Sequence, residues 1–227
     1  VSTQPWREVG DGPLSRAAAS VYTVLVVGLL LILAVLPGLV PLLLLRPDAS
    51  NLPLVALCLL PVGPALSAAL YALHHQRPDL TDLRPAAWFR QGYRANLRQT
   101  LWIWVPVLLW LTVIGVNLSY LSAAVVPAGW AVPLVGVGVG VALVGGNALV
   151  IAALFAFRTR DVLRLARYFL VRTPGVTVGT LLLLAAAGAL TVGVSELVPV
   201  LLAGPFALAY LRICTPMIDI VRKEFTG

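Results

Sequence analysis

Residues Ser20 to Leu44 read SVYTVLVVGLLLILAVLPGLVPLLL, a run with no charged side chain. An α-helix needs about 20 apolar residues to cross a hydrocarbon layer roughly 30 Å thick. The run is longer than the roughly 7 to 15 apolar residues of a secretory signal core, and no small-x-small cleavage pattern follows it. It is therefore expected to stay as a membrane helix. Its unbroken apolarity also argues against a barrel, whose strands alternate over about ten residues.

Five further runs of the same kind lie near 52–74, 101–123, 131–157, 175–195 and 197–218. With 20–44 they predict an all-α integral membrane domain of six transmembrane helices over 20–218. A segment, 1–19, precedes this domain and a tail, 219–227, follows it. The last two spans are separated only around Ser195, Glu196 and Pro199, which implies a tight hairpin. Composition agrees: 60% of residues are apolar and 11% charged, against about 25% charged in a soluble domain. Cys58 and Cys214 both lie in apolar stretches and read as small buried hydrophobes.

The formal charge of +7 raises the question of nucleic acid, but the basic residues flank apolar runs, as the positive-inside bias requires. Nucleic acid is therefore not an expected partner. The connection between spans 2 and 3 holds Arg77, Arg84, Arg90, Arg94 and Arg98; that between 4 and 5 holds Arg158, Arg160, Arg164, Arg167 and Arg172. The other side has Arg46, beside Asp48, and Glu196. With Arg7 and Arg16 before the first span and Arg222 and Lys223 after the last, both ends are expected inside.

Both arginine-rich connections read as short amphipathic cytoplasmic helices. In the first, Phe89, Tyr93 and Leu97 share a face beside Arg90, Arg94 and Arg98; in the second, Val162, Leu165 and Phe169 oppose Arg160, Arg164 and Arg167. Two readings fit such faces: arginines toward anionic lipid headgroups, or a docking surface for a partner subunit. Spans 2, 4 and 6 also share a pattern in Gly63-Pro64-Ala65-Leu66, Gly146-Asn147-Ala148-Leu149 and Gly204-Pro205-Phe206-Ala207-Leu208. That pattern describes three hairpins on one plan, although Gly, Ala and Leu are common enough here to produce it by chance.

Catalysis needs titratable or metal-binding groups, and the central thirds of the spans contain no Asp, Glu, Lys or His. No catalytic residue, cofactor or metal is expected, and a carboxylate-coupled carrier is disfavoured. A soluble-side pocket of His75, Asp79 and Asp82 is the one place left for an enzyme. Adjacent His74 and His75 point about 100 degrees apart on a helix, which suits an interfacial solvated pair better than a metal grip. Gly136, Gly138 and Gly140 imitate a dinucleotide loop but lie inside an apolar span, so Gly136 and Gly140 read as a helix-packing face, with Asn147 as an interhelical hydrogen bond. Trp102 and Trp104 suit an interfacial belt. Breaks are expected at Pro37 and Pro41 in span 1, at Pro61, Gly63 and Pro64 in span 2, and at Gly204 and Pro205 in span 6, either as ordinary kinks or as the frame of a substrate site.

The stretch from Gly63-Pro64-Ala65 through Trp88-Phe89-Arg90-Gln91-Gly92-Tyr93-Arg94-Ala95-Asn96-Leu97-Arg98-Gln99-Thr100 resembles the YesL-like family of small bacterial membrane proteins over about 50 residues. The likeness lies in a Gly-Pro-bearing second helix, a basic connection with an aromatic-x-x-x-aromatic-Arg-x-Asn core (Phe89 to Asn96), and a third helix. The resemblance implies a multi-pass protein of the bacterial cytoplasmic membrane with an accessory role near ABC-type carbohydrate uptake systems; it supplies no catalytic residues. The short, Pro-rich connection after His75 departs from the family, and the loop by which ABC permeases dock their ATPase is absent. The expectation is thus an accessory or regulatory subunit whose partners are membrane lipids and ABC-type transporter subunits. The alternative is a small stand-alone transporter or channel for a neutral solute.

Overall fold

Lipid offers no partner to a backbone N–H or C=O, so a chain this apolar must close its hydrogen bonds within helices. The computed structural model describes residues 13–46, 48–76, 83–121, 128–195 and 197–225; these are helical almost throughout and contain no strand. Arg7, Arg77, Asp79, Asp82 and Glu196 lie outside the described residues. The helices are α1 (Pro13–Leu44), α2 (Leu52–Cys58), α3 (Val62–His75), α4 (Pro85–Ser119) and α5 (Ala131–Leu154). They continue with α6 (Thr159–Arg172), α7 (Pro174–Gly193), α8 (Leu197–Leu201), α9 (Ala203–Ile213) and α10 (Thr215–Phe225). Among the described residues, five spans are long and apolar enough to cross a membrane, counting Ala49–His75 with α2 and α3 as one, or six if α9 and α10, which meet at 48°, are one bent span.

Several boundaries differ from the sequence reading for identifiable reasons. The first basic connection is not a separate short helix: it is the beginning of α4, which runs unbroken for 35 residues. No Gly or Pro separates Leu97 from Trp102, so nothing stops the helix there. At about 1.5 Å per residue α4 is roughly 50 Å long, about 20 Å more than the hydrocarbon layer, and its surplus carries Arg90, Arg94 and Arg98. The fourth span ends at Leu154 rather than 157, and an extended segment, 155–158, leads into α6. In the sixth, Pro216 has no N–H for the Arg212 carbonyl; the chain turns at Cys214 and α10 departs at an angle. The tail is thus an amphipathic helix with Met217, Ile218 and Val221 buried and Asp219, Arg222, Lys223 and Glu224 exposed.

The core lies at the arginine-bearing end. One cluster joins Val150 and Ile151 of α5, Val162 and Phe169 of α6, Tyr210 of α9, and Met217 and Val221 of α10. A second, built on Val27, Ala68, Ala69, Ala72, Phe89 and Ala207, brings α1, α3, α4 and α9 together through small side chains. Apolar surface is also available to lipid tails, so such contacts act through close packing more than through the hydrophobic effect. Toward the opposite end packing thins. Val132, Val135, Val137 and Val139 of α5 are exposed, and α7 buries only Val176 and Thr180.

Candidate functional site

Two places concentrate unusual features: the helix breaks with the chamber between them, and the arginine-bearing end. At the first break, Pro61 and Pro64 lack N–H groups and leave carbonyls one turn back without their helical partners. The Leu57 carbonyl accepts from the Leu60 N–H at 3.2 Å, and the Leu59 carbonyl from the Val62 N–H at 3.2 Å. The Trp104 indole N–H also donates to Leu59 O at 2.9 Å. Gly63 makes room for that indole, since a Cβ there would stand 2.5 Å from Trp104 Cγ. Trp104 is thus seated on the break and not part of an interfacial belt.

The interruptions fall beside the predicted residues. Gly63 and Pro64 are the second and third residues of α3, after a break at 59–61; Gly204 and Pro205 hold the same positions in α9, after a break at Leu202. A first helical turn has orphan N–H groups anyway, so proline fits there without loss. Pro37 and Pro41 do not break α1, which runs through both. Gly38 serves instead as a contact: a Cβ there would lie 2.9 Å from the Cys58 carbonyl carbon and closer still to its oxygen. Gly204 meets α1 in the same manner, with its Cβ position 2.5 Å from Val24 O and 3.0 Å from Gly28 Cα.

Between the two breaks lies an apolar chamber of about 310 Å³, walled in part by Val62, Leu66, Trp104, Phe206 and Tyr210. The Tyr210 hydroxyl is buried, and among the described residues the weak Cys214 thiol is its hydrogen-bonding neighbour. The hydroxyl points at α5, where a Cβ on Gly146 would be 2.6 Å from it. The Thr180 hydroxyl is already used on the Val176 carbonyl at 2.8 Å. The chamber therefore offers almost wholly apolar walls, with the Tyr210 hydroxyl buried behind them rather than open to it. Among the described residues, no group of three or more His, Cys, Asp or Glu side chains gathers to hold a metal.

At the other place, Arg90, Arg94 and Arg98 are exposed on α4 while Phe89 is buried, and Arg160, Arg164 and Arg167 are exposed on α6 while Val162, Leu165 and Phe169 are buried. The apolar face of α6 is covered by protein, not left for acyl chains. Asn96 donates to Ala153 O at 3.3 Å and Gln99 to Phe157 O at 2.7 Å. These amides satisfy carbonyls where α5 ends and locate α6 against α4. Arg172 pairs with Glu224 at 2.8 Å, tying α6 to α10. Arg222 reaches His74 Nε2 at 3.1 Å. His75 is half-buried: it stacks on Tyr71 and Trp88, with ring centroids 4.0 and 5.5 Å away, and its Nδ1 meets Tyr71 O at 2.9 Å. A polar recess of about 300 Å³ beside it is lined by Ser20, Thr23, His74, Arg212 and Asp219.

Among the described residues nothing packs against Gly136 or Gly140, since a Cβ at either would meet no atom of them within 4 Å. The glycines of α5 in close contact are Gly145, against Val107, and Gly146, against Tyr210. Asn147 is buried, and no interhelical hydrogen bond from its amide is seen among the described residues. Tyr210, Trp104, Gly28 and the Asn96–Gln99 pair were not singled out as site residues by the sequence. Only the last left a signal, two amides three residues apart on the buried side of a basic helix.

Helices of this length and apolarity, closing their own backbone bonds and exposing apolar side chains over much of their surface, are those of a multi-pass membrane protein. No protein-family model, curated protein or solved structure matches the chain.

Proposed function

We propose that the chain crosses a bacterial cytoplasmic membrane six times, arginine end and both termini inside, as an accessory or regulatory subunit beside a transporter. Carbohydrate uptake is the system implied by the likeness to the YesL-like family at residues 63–65 and 88–100. The orientation rests on the arginine asymmetry of the connections, and the sixth crossing on reading α9 and α10 as one bent span. Hairpins one and three share a plan, with Gly-Pro in the first turn after a break; Gly146-Asn147 lies inside an unbroken helix.

The observation that carries the accessory role is the open face of α5. Gly136 and Gly140 stand four residues apart with no described residue opposite them, in a half-helix whose valines are also uncovered. A partner helix can approach such a face closely. Crosslinking in cells followed by isolation in mild detergent tests this. A transporter subunit should co-isolate with the wild type and be lost from the Gly136→Leu/Gly140→Leu variant; a wild-type chain recovered alone overturns the reading.

A second reading, a stand-alone path for a neutral solute, is favoured by the apolar chamber between the breaks, which Tyr210 helps to wall. Proteoliposome uptake decides it: entry of neutral solutes no faster than into empty vesicles removes it, whereas uptake lowered by Tyr210→Phe supports it.

A further inference from the structure

We propose that the recess between α4 and the start of α6 binds the phosphate headgroup of an anionic lipid. The recess has a volume of about 640 Å³ and is lined by Arg98 and Trp102 from α4 and by Arg158, Thr159 and Arg160 from the other side. Three arginines, from α4, from the 155–158 segment and from the first turn of α6, therefore line one concavity. Phosphate oxygens accept two parallel N–H bonds from such groups, more strongly than a neutral acceptor does.

Nothing else among the described residues claims these charges, as no ion pair to Arg98, Arg158 or Arg160 occurs there. The nearest carboxylate in sequence, Asp161, is exposed in the first turn of α6 and does not line the recess. The floor is fixed, because Gln99 spans it to donate to Phe157 O at 2.7 Å. The walls are thus held in place before any ligand arrives, which lowers the ordering cost of binding.

The lining also distinguishes a lipid from a soluble phosphate. Trp102, one helical turn beyond Arg98, is 66% exposed and sits where a tryptophan marks the boundary between headgroups and acyl chains. Phe157, Leu163 and Ala95 add apolar surface to the same recess. An amphiphile covers both the arginines and this apolar rim, whereas inorganic phosphate covers only the first. The site is local and is distinct from the diffuse attraction of the exposed Arg90, Arg94, Arg164 and Arg167 to an anionic surface.

Native mass spectrometry of the full chain in neutral detergent, titrated with phosphatidylglycerol, phosphatidylcholine or sodium phosphate, tests the proposal. Phosphatidylglycerol should be retained in preference to phosphatidylcholine. The Arg98→Gln/Arg158→Gln/Arg160→Gln variant should lose about tenfold of that affinity, while Arg90→Gln/Arg94→Gln/Arg167→Gln, with the same loss of charge, should lose less than about twofold. Should the first variant fail to fold, each single Gln substitution should lower retention by about twofold. Equal loss in both triple variants, or no preference for phosphatidylglycerol, overturns the site. Displacement by millimolar phosphate as effective as by phosphatidylglycerol overturns its assignment to lipid.

Discussion

Replacing Gly204 by alanine tests how α1 and α9 are joined. The new Cβ would stand 2.5 Å from the Val24 carbonyl oxygen and 3.0 Å from Gly28 Cα. A carbon normally approaches a carbonyl oxygen no closer than about 3.3 Å, so the two helices must separate by roughly 0.8 Å. Both obstacles are backbone, and no rotamer change relieves them. Overpacking of this kind costs about 1 to 3 kcal/mol, and the better helix propensity of alanine returns at most about 1 kcal/mol. A net loss of about 1 to 2 kcal/mol corresponds to a Tm lower by roughly 3 to 6 °C in a chain of this size. Thermal unfolding in mild detergent, followed by intrinsic tryptophan fluorescence, measures it. Gly136→Ala is the control, since nothing lies within 4 Å of its Cβ position, and its Tm should stay within about 1 °C of wild type or rise. A Gly204→Ala protein as stable as wild type, or an equal fall in both variants, would refute the reasoning.

Trp104→Phe keeps the ring against Gly63 but removes the bond to Leu59 O; it should cost about 1 kcal/mol, a Tm drop of roughly 2 to 4 °C. Asn96→Leu and Gln99→Met remove the bonds that hold the end of α5 and the 155–158 segment to α4, and hydrogen–deuterium exchange should speed up at 155–160 while α1 and α3 stay protected. Glu224→Gln breaks an exposed pair with Arg172 and should move Tm by no more than about 2 °C. The Ser50 hydroxyl donates to Asp48 at 2.7 Å and holds that carboxyl below its ordinary 3.8. Because the folded-state value lies below the unfolded one, this turn's stabilisation is present above the unfolded value and fades as pH falls through the folded one. In an NMR titration Ser50→Ala should move Asp48 up toward 3.8, and an unchanged Asp48 would contradict the assignment.

The spans were legible because a run such as Ser20 to Leu44 has one physical solution in lipid, and the faces of α6 because Val162, Leu165 and Phe169 keep helical spacing. The continuity of α4 was also legible in the absence of a breaker between Leu97 and Trp102, and the bend before α10 in Pro216. What sequence spacing could not give is which faces meet. Gly136 and Gly140 have the same small-xxx-small spacing whether a neighbour covers them or not. Gly28, Gly38 and Gly204 matter only because α1 happens to cross the two broken helices there. Trp104 depends likewise on a carbonyl 45 positions away, a pairing that no local pattern encodes. Tyr210, facing the chamber, belongs to the same class.

The central claim is that the arginine-rich ends of α4 and α6 and the basic tail lie on one side of the membrane after six crossings, opposite the connection that holds Arg46. Single cysteines at Ser50→Cys, Arg94→Cys, Arg164→Cys and Lys223→Cys, in a Cys58→Ala/Cys214→Ala background, can be labelled with a membrane-impermeant maleimide on intact expressing cells. The account predicts labelling at position 50 from outside and at 94, 164 and 223 only after the membrane is opened. Labelling of 94 and 164 from opposite sides, or of 223 from the same side as 50, would contradict it.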